Sequence, residues 1–247
     1  MGVRPVLTVM LLATIAMADV APATQSIDIP EIQDHLRHAN VFKHGDVHVS
    51  YAKGVATLAG NVDSVGVKMD AQNAALKDED VTQVVNDIRV SDAGVTPQQV
   101  LDQARRRLLT CYAYTIYDNV DLKVRGNTLT LSGEVTQPYR KDAIAYSLSH
   151  IKGVGAIENL LTVLPLSTYN EDLRARVARA IYDDPYFASY VDAGRLPIHI
   201  IVNDAGITLA GCVDSQVDRT RAEGDARIAA SASDTIFNYL KVGNPEP

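Results

Sequence analysis

Cysteine is nearly absent from this chain: Cys111 and Cys212 are the two thiols in 247 residues. That excludes a disulfide-dense scaffold. A single long-range bridge stays open beside the preferred reading of two half-buried thiols, since nothing in the sequence brings the positions together. Past residue 18 no apolar run approaches the length that spans a bilayer, so no transmembrane helix is expected there. No Gly-x-Ser-x-Gly elbow, phosphate-binding loop or paired His-Glu metal motif occurs. Gly153-Val154-Gly155 lacks the third glycine of a dinucleotide site and leads into a strand rather than a helix. The expectation is therefore a non-enzymatic protein without cofactor or metal. The formal net charge is -7, and no nucleic-acid partner is expected.

The N-terminus is different in kind. Arg4 precedes an apolar run from Val6 to Met17 that closes on Ala16-Met17-Ala18. This reads as a signal peptide over residues 1–18, cleaved after Ala18, and predicts export. The run contains no cysteine, so a lipid anchor is not expected.

Three segments then repeat around a strand ending in Gly-x-Val: Thr57 to Val62, Thr130 to Val135 and Thr208 to Val213, with marker glycines Gly60, Gly133 and Gly211. Upstream of each, apolar residues alternate: Val47, Val49 and Tyr51; Val120, Leu122 and Val124; Ile198, Ile200 and Val202. That alternation predicts a strand with one buried face. Lys53-Gly54, Arg125-Gly126-Asn127 and Asn203 to Gly206 supply hairpin turns between the two strands.

After the glycine, Asp63, Thr136 and Asp214 are the expected helix caps. The inward face of that helix is marked by Ala71 and Ala75, Ile144 and Leu148, and Ala222 and Ala226. A last strand begins at Asn86, Asn159 or Asn238, which follow the glycines by 26, 26 and 27 residues. An amphipathic helix precedes each hairpin, through Ile29, Ile32 and Leu36; Leu101, Ala104 and Leu108; and Leu173, Val177 and Ile181. Pro97 and Asn170 or Glu171 suit its start.

The fold class is thus α+β, with three tandem small α/β sandwich repeats over residues 26–92, 95–165 and 169–243. Each runs helix, strand, strand, helix, strand, with a three-stranded mixed sheet packed on two helices. Their short junctions predict a compact or gently curved row.

This pattern resembles the BON domain. Copy two matches best, through Gly133-Glu134-Val135, Gly153-Val154 and Asn159-Leu160-Leu161-Thr162-Val163. Copy one has Asp80 before Val81 at the penultimate glycine, and copy three has Ala232-Ser233 there, so the third is the most diverged. The resemblance implies a periplasmic or outer-membrane-associated protein of Gram-negative bacteria, linked to osmotic or envelope stress, that binds phospholipid or other envelope components. It transfers no catalytic residue.

Only the middle repeat is net positive: residues 95–165 hold 6 acidic and 8 basic side chains, whereas 26–92 hold 11 and 6, and 169–243 hold 11 and 8. Contact with anionic phospholipid is therefore expected there, at most peripherally. Arg105, Arg106 and Arg107 with Tyr112 and Tyr114 form the candidate set. A solvated helix face and an inter-repeat seam are the plainer roles for the same residues. Tyr182, Tyr186, Phe187 and Tyr190 are expected chiefly to close a small core. Lys68, Lys141 and Arg219 recur at one offset, where a solvent-facing base is the plain reading. His35, His38, His44 and His48 fit no zinc spacing. Two functions compete: an envelope protein that contacts anionic phospholipid, and an adaptor that holds another envelope protein without lipid affinity.

Overall fold

A computed structural model describes residues 30–91 and 94–243; the signal-like segment and Ile29 lie outside these residues. Repeat 1 consists of α1 (Pro30–His38), β1 (Gly45–Ala52), β2 (Val55–Val62), α2 (Val65–Ala75) and β3 (Gln83–Val90). Repeat 2 follows with α3 (Pro97–Leu109), β4 (Asn119–Arg125), β5 (Thr128–Val135), α4 (Pro138–Ser149) and β6 (Ala156–Val163). Repeat 3 has α5 (Thr168–Tyr182), a short α6 (Ala188–Asp192), β7 (Ile198–Asn203), β8 (Gly206–Val213), α7 (Gln216–Ala229), β9 (Ile236–Asn238) and β10 (Lys241–Val242).

In every repeat the glycine-bearing strand is central. It pairs antiparallel with the strand before it and parallel with the last strand, reached by a helical crossover. The marker glycines have φ of 139°, 118° and 113°. A Cβ on any of them would strike a neighbouring-strand carbonyl, that of Asp46, Asn119 or Pro197, so glycine is required on two counts.

The repeated asparagines tie strand to helix. Asn86, Asn159 and Asn238 donate through Nδ2 to the carbonyls of Lys68, Lys141 and Arg219 at 3.0, 3.1 and 3.0 Å. Their Oδ1 atoms accept from the amides of Ile88, Leu161 and Leu240. The recurrent bases thus stand where helix meets strand. Lys68 and Arg219 reach back to the carbonyls of Ile88 and Asn238, at 2.7 and 3.0 Å.

Each repeat has its own core under the sheet, with Ile32, Leu36, Leu58 and Ile88 in the first, Ala104, Leu131, Ile144 and Leu161 in the second, and Leu173, Ile181, Leu209 and Ala226 in the third. Phe187 and Tyr190 complete the third core, while Tyr186 and Tyr190 both donate to the Asp218 carboxylate at 2.7 Å. Both cysteines are free, Cys111 buried and Cys212 half-buried.

Three local expectations are corrected. The N-cap positions of the second helices fall one residue later than expected, at Ser64, Gln137 and Ser215, of which Ser215 makes a side-chain cap. The side chains of Asp63, Thr136 and Asp214 turn instead to His44, Asp118 and Arg195. Helix α5 starts before Asn170, because Ser167 accepts from the Asn170 amide and caps it. Val100 rather than Leu101 is buried at the start of α3. In repeat 3 the last ladder lapses at Tyr239 and Leu240, yet Asn238 pairs with Leu209 and Lys241 with Cys212 in one register. The one extra residue between glycine and asparagine is absorbed before β9, where α7 runs 14 residues against 12 in α4 and 11 in α2.

The two seams differ. Repeats 1 and 2 meet through α2 and α4: Val65 donates to the Val154 carbonyl and Gly153 to that of Asp63, both at 2.8 Å. Asp70 receives the Tyr146 hydroxyl and lies 2.8 Å from His150 Nε2. Repeats 2 and 3 meet beside β7, where Ile200 donates to the Ile116 carbonyl and Asn203 to Glu134. There His199 stacks on Tyr114 with ring centroids 5.0 Å apart. Its Nδ1 lies 3.2 Å from the Thr115 carbonyl, which can only accept, so Nδ1 carries the proton and Nε2 faces the Tyr114 hydroxyl. Burial pulls the His199 pKa down against the opposing pull of Asp118.

Two outcomes follow. Asn159→Ala removes the bond to the helix carbonyl of Lys141 and the bond from the Leu161 amide of its own strand, and should cost about 2 kcal/mol, read from the urea midpoint. Because the folded His199 titrates below its ordinary value, its contribution is complete above about pH 6.5 and is lost as pH falls below that. The thermal midpoint should therefore drop less between pH 7.5 and 5.5 in His199→Phe than in the unsubstituted chain.

Candidate functional site

Helix α3 is set by its N-terminus. Thr96 and Gln99 form a reciprocal capping box ahead of Pro97, and Val100, Ala104 and Leu108 are buried against the sheet. Fixing that face turns the arginine triplet outward. Arg105 lies 3.7 Å from Asp102 on its own helix. Arg106 and Arg107 occupy the last turn, where cations also complement the helix dipole.

These two arginines line a cleft of about 450 Å³ between repeats 1 and 2. Gln103 and Thr110 complete the α3 wall, and His150, Ile151 and Lys152 come from the end of α4. His44 and Asp63 of repeat 1 close the third side, 3.2 Å from each other. Arg107 donates to the Ser147 hydroxyl, and among the described residues none of Arg106, Arg107 and Lys152 forms an ion pair. Asp63, already facing His44, is the cleft's one carboxylate.

Beyond the cleft, α3 ends in exposed apolar side chains. Leu109 is 75% and Tyr112 84% exposed, and Leu109 follows Arg106 by one helical turn. Arg106 and Arg107 thus share the cleft, Arg105 stands apart beside Asp102, and Tyr112 is exposed three residues past the end of α3. Tyr114 is elsewhere: it lies in the seam with repeat 3, where burial pushes its phenol well above the ordinary range. It joins repeats and does not belong with the candidate surface.

Sequence reasoning missed Lys152, His44 and Leu109. Leu109 had a signal, because Leu108-Leu109 places two large apolar residues side by side on a helix that can bury only one of them. Lys152 and His44 had none, since tertiary packing alone brings them to α3.

Asp70, His150 and Ser149 line up as carboxylate, imidazole and hydroxyl. Ser149 is only 2% exposed, however, and its hydroxyl donates to the Tyr146 carbonyl. His150 Nδ1 sits 2.8 Å from the same carbonyl. The hydroxyl is sealed from substrate and the row is a packing device. What the cleft offers chemically is attraction and hydrogen bonding for an anion.

The family model described as the BON domain matches residues 30–92, 112–165 and 170–242. The chain belongs to the BON domain family. That family is associated with phospholipid-binding and envelope-stress proteins and is generally non-enzymatic. The second match starts after α3, although α3 packs in the middle BON repeat as α1 and α5 do in theirs. No curated protein matches the chain. Among solved structures, it is similar to CdsD, described as a structural protein of the type III secretion system of Chlamydia trachomatis. The identity is 14% over 85% of this chain and 91% of that one, with a TM-score of 0.25. The C-terminal domain of the same protein is similar at 14% identity, covering 88% of this chain and all of that one, with a TM-score of 0.23.

If the cleft accepts an anion, titrating inorganic phosphate into the labelled chain should shift the amide resonances of Arg106, Arg107, Thr110 and Lys152. Those of Tyr114 and Thr115, at the opposite seam, should stay in place.

Proposed function

We propose that this protein is a non-enzymatic periplasmic binding protein that contacts anionic phospholipid through the end of α3, in protection against envelope or osmotic stress. One observation carries the reading: three cations without ion-pair partners among the described residues, Arg106, Arg107 and Lys152, line one cleft, and exposed Leu109 and Tyr112 follow at and after the end of α3. Phosphates would be drawn to the cations, while an aliphatic side chain and a tyrosine suit the boundary where headgroups meet acyl chains. The acidic repeats on either side are repelled by the same surface, so contact is confined to the middle repeat and stays peripheral. The helices fit that picture, since none among the described residues is long and apolar enough to cross a membrane. The adaptor reading draws on repeat 3 instead, where α7 leaves Val217 and Ile228 uncovered.

Co-sedimentation with vesicles of phosphatidylcholine alone, and of phosphatidylcholine with phosphatidylglycerol, separates the two. Binding should require the anionic lipid and weaken with salt. At about 1 kcal/mol per basic residue, Arg106→Ala with Arg107→Ala should lower the affinity roughly thirty-fold. Leu109→Ser with Tyr112→Ser should weaken binding while leaving its salt dependence intact. A chain that stays in the supernatant with both vesicles defeats the lipid reading and leaves the adaptor.

A further inference from the structure

Two histidines line the cleft that holds Arg106, Arg107 and Lys152, one from each repeat: His44 from the approach to β1 and His150 from the end of α4. Imidazole is the side chain whose charge ordinarily changes between about pH 5 and 8. His150 is held on two sides. Its Nδ1 lies 2.8 Å from the Tyr146 carbonyl and its Nε2 lies 2.8 Å from Oδ2 of Asp70 on α2. A carbonyl and an ionised carboxylate can only accept, so a neutral ring satisfies one of them and the imidazolium satisfies both. The Tyr146 hydroxyl donates to Oδ1 of the same carboxylate, and its ring meets the imidazole edge-on with centroids 4.7 Å apart. Ser149 Oγ stands 3.3 Å from Nδ1. Gly66 of α2 closes the far side, since a Cβ there would come within 2.6 Å of Nδ1. The ring is clamped between the two helices that join the repeats.

His44 answers a different need. Its Nδ1 lies 3.2 Å from Oδ2 of Asp63, the one carboxylate lining the cleft, and Oδ1 of that carboxylate is buried without a hydrogen-bond partner. A bare carboxylate repels an anion entering the cleft, and a protonated His44 cancels it. The other charged groups that face the two rings across the cleft are Arg106 and Arg107 from α3 and Lys152 from the turn after α4. By themselves these cations oppose a proton on either imidazole. An anion seated among them reverses that balance, because it attracts each new proton and offsets the arginines and the lysine.

We propose that anion binding in this cleft is coupled to proton uptake at His44 and His150, so that the protein holds an anionic headgroup more tightly as pH falls. The proposal rests on the reading of the cleft as the anionic-phospholipid site. At alkaline pH the cleft presents three cations and one carboxylate, and protonation of both rings adds two cations to that set. Whatever acid does for the anion, the anion does in return for the two protons. Affinity therefore falls as pH rises through the titration of the rings, by at most about tenfold per pH unit for each proton taken up. A phosphodiester keeps its single negative charge throughout this range, so the rings and not the lipid set the dependence.

Co-sedimentation of the full chain with vesicles of phosphatidylcholine and phosphatidylglycerol, at constant ionic strength from about pH 8.5 to 5.5, tests this. The dissociation constant should fall roughly thirty-fold, the effect of two added charges at an anionic surface. His44→Gln with His150→Gln should shrink that change to a few-fold, whereas His38→Gln with His48→Gln, exposed rings outside the cleft, should leave it whole. In the unsubstituted chain, glycerophosphoglycerol, the headgroup without its acyl chains, should raise the midpoints at which the His44 and His150 ring protons titrate by NMR and leave those of His38 and His48 in place. A double variant that keeps the whole pH dependence overturns the proposal and leaves the lipid reading standing. So do His44 and His150 midpoints that stay put while the amides of Arg106 and Arg107 shift. A chain that ignores anionic vesicles at every pH defeats the lipid reading and this proposal together.

Discussion

Everything in a repeat hangs on the join between its last strand and its second helix. The hairpin is local and needs only a good turn, but the third strand must return parallel to the central one after a whole helix, and its register has to be set across that distance. One asparagine side chain sets it, donating to a carbonyl of the crossover helix and accepting from an amide of its own strand. The glycine two residues past the asparagine's partner on the central strand admits the first strand's carbonyl where any Cβ would collide with it. With those two residues placed, the apolar positions of sheet and helices face one another, and about 70 residues can close a core without disulfides.

Much of this was legible in the sequence because it is written three times. Repetition separated Gly60, Gly133 and Gly211 from ordinary turn glycines, and Asn86, Asn159 and Asn238 from surface polar residues. The inward pairs of the second helix are all buried. The helix starts fall one residue later than the pattern placed them, and Asp63, Thr136 and Asp214 turn to His44, Asp118 and Arg195, partners that a local pattern does not reveal. The candidate site was half legible. Arg106, Arg107 and Tyr112 stood out by composition, and Tyr114 shared that composition while facing the other way. Lys152 and His44 enter through the packing of repeat 1 on repeat 2, a relation between copies that the repeat pattern does not encode.

The seams also show how one module takes different neighbours. Between repeats 1 and 2, glycine at position 66 lets helix meet helix, beside a cleft that holds Arg106, Arg107 and Lys152. Between repeats 2 and 3, a neutral imidazole stacked on a buried phenol joins the copies at β7, with backbone hydrogen bonds alongside. The first seam is open and polar, so it can serve recognition. The second is closed by stacked, buried rings and serves cohesion.

The cleft has walls from two repeats, and this ties binding to folding. On the proposed reading, an anion spanning Arg106, Lys152 and the His44 side would recognise the docked pair of repeats and neither repeat alone. By mass action its occupancy stabilises the docked state by RT ln(1 + [L]/Kd), about 2.7 kcal/mol at a hundred-fold excess over Kd. On the proposed reading, a loaded cleft would act as a clasp that makes two modules into one cooperative unit, and its ligand would become part of what holds the protein together.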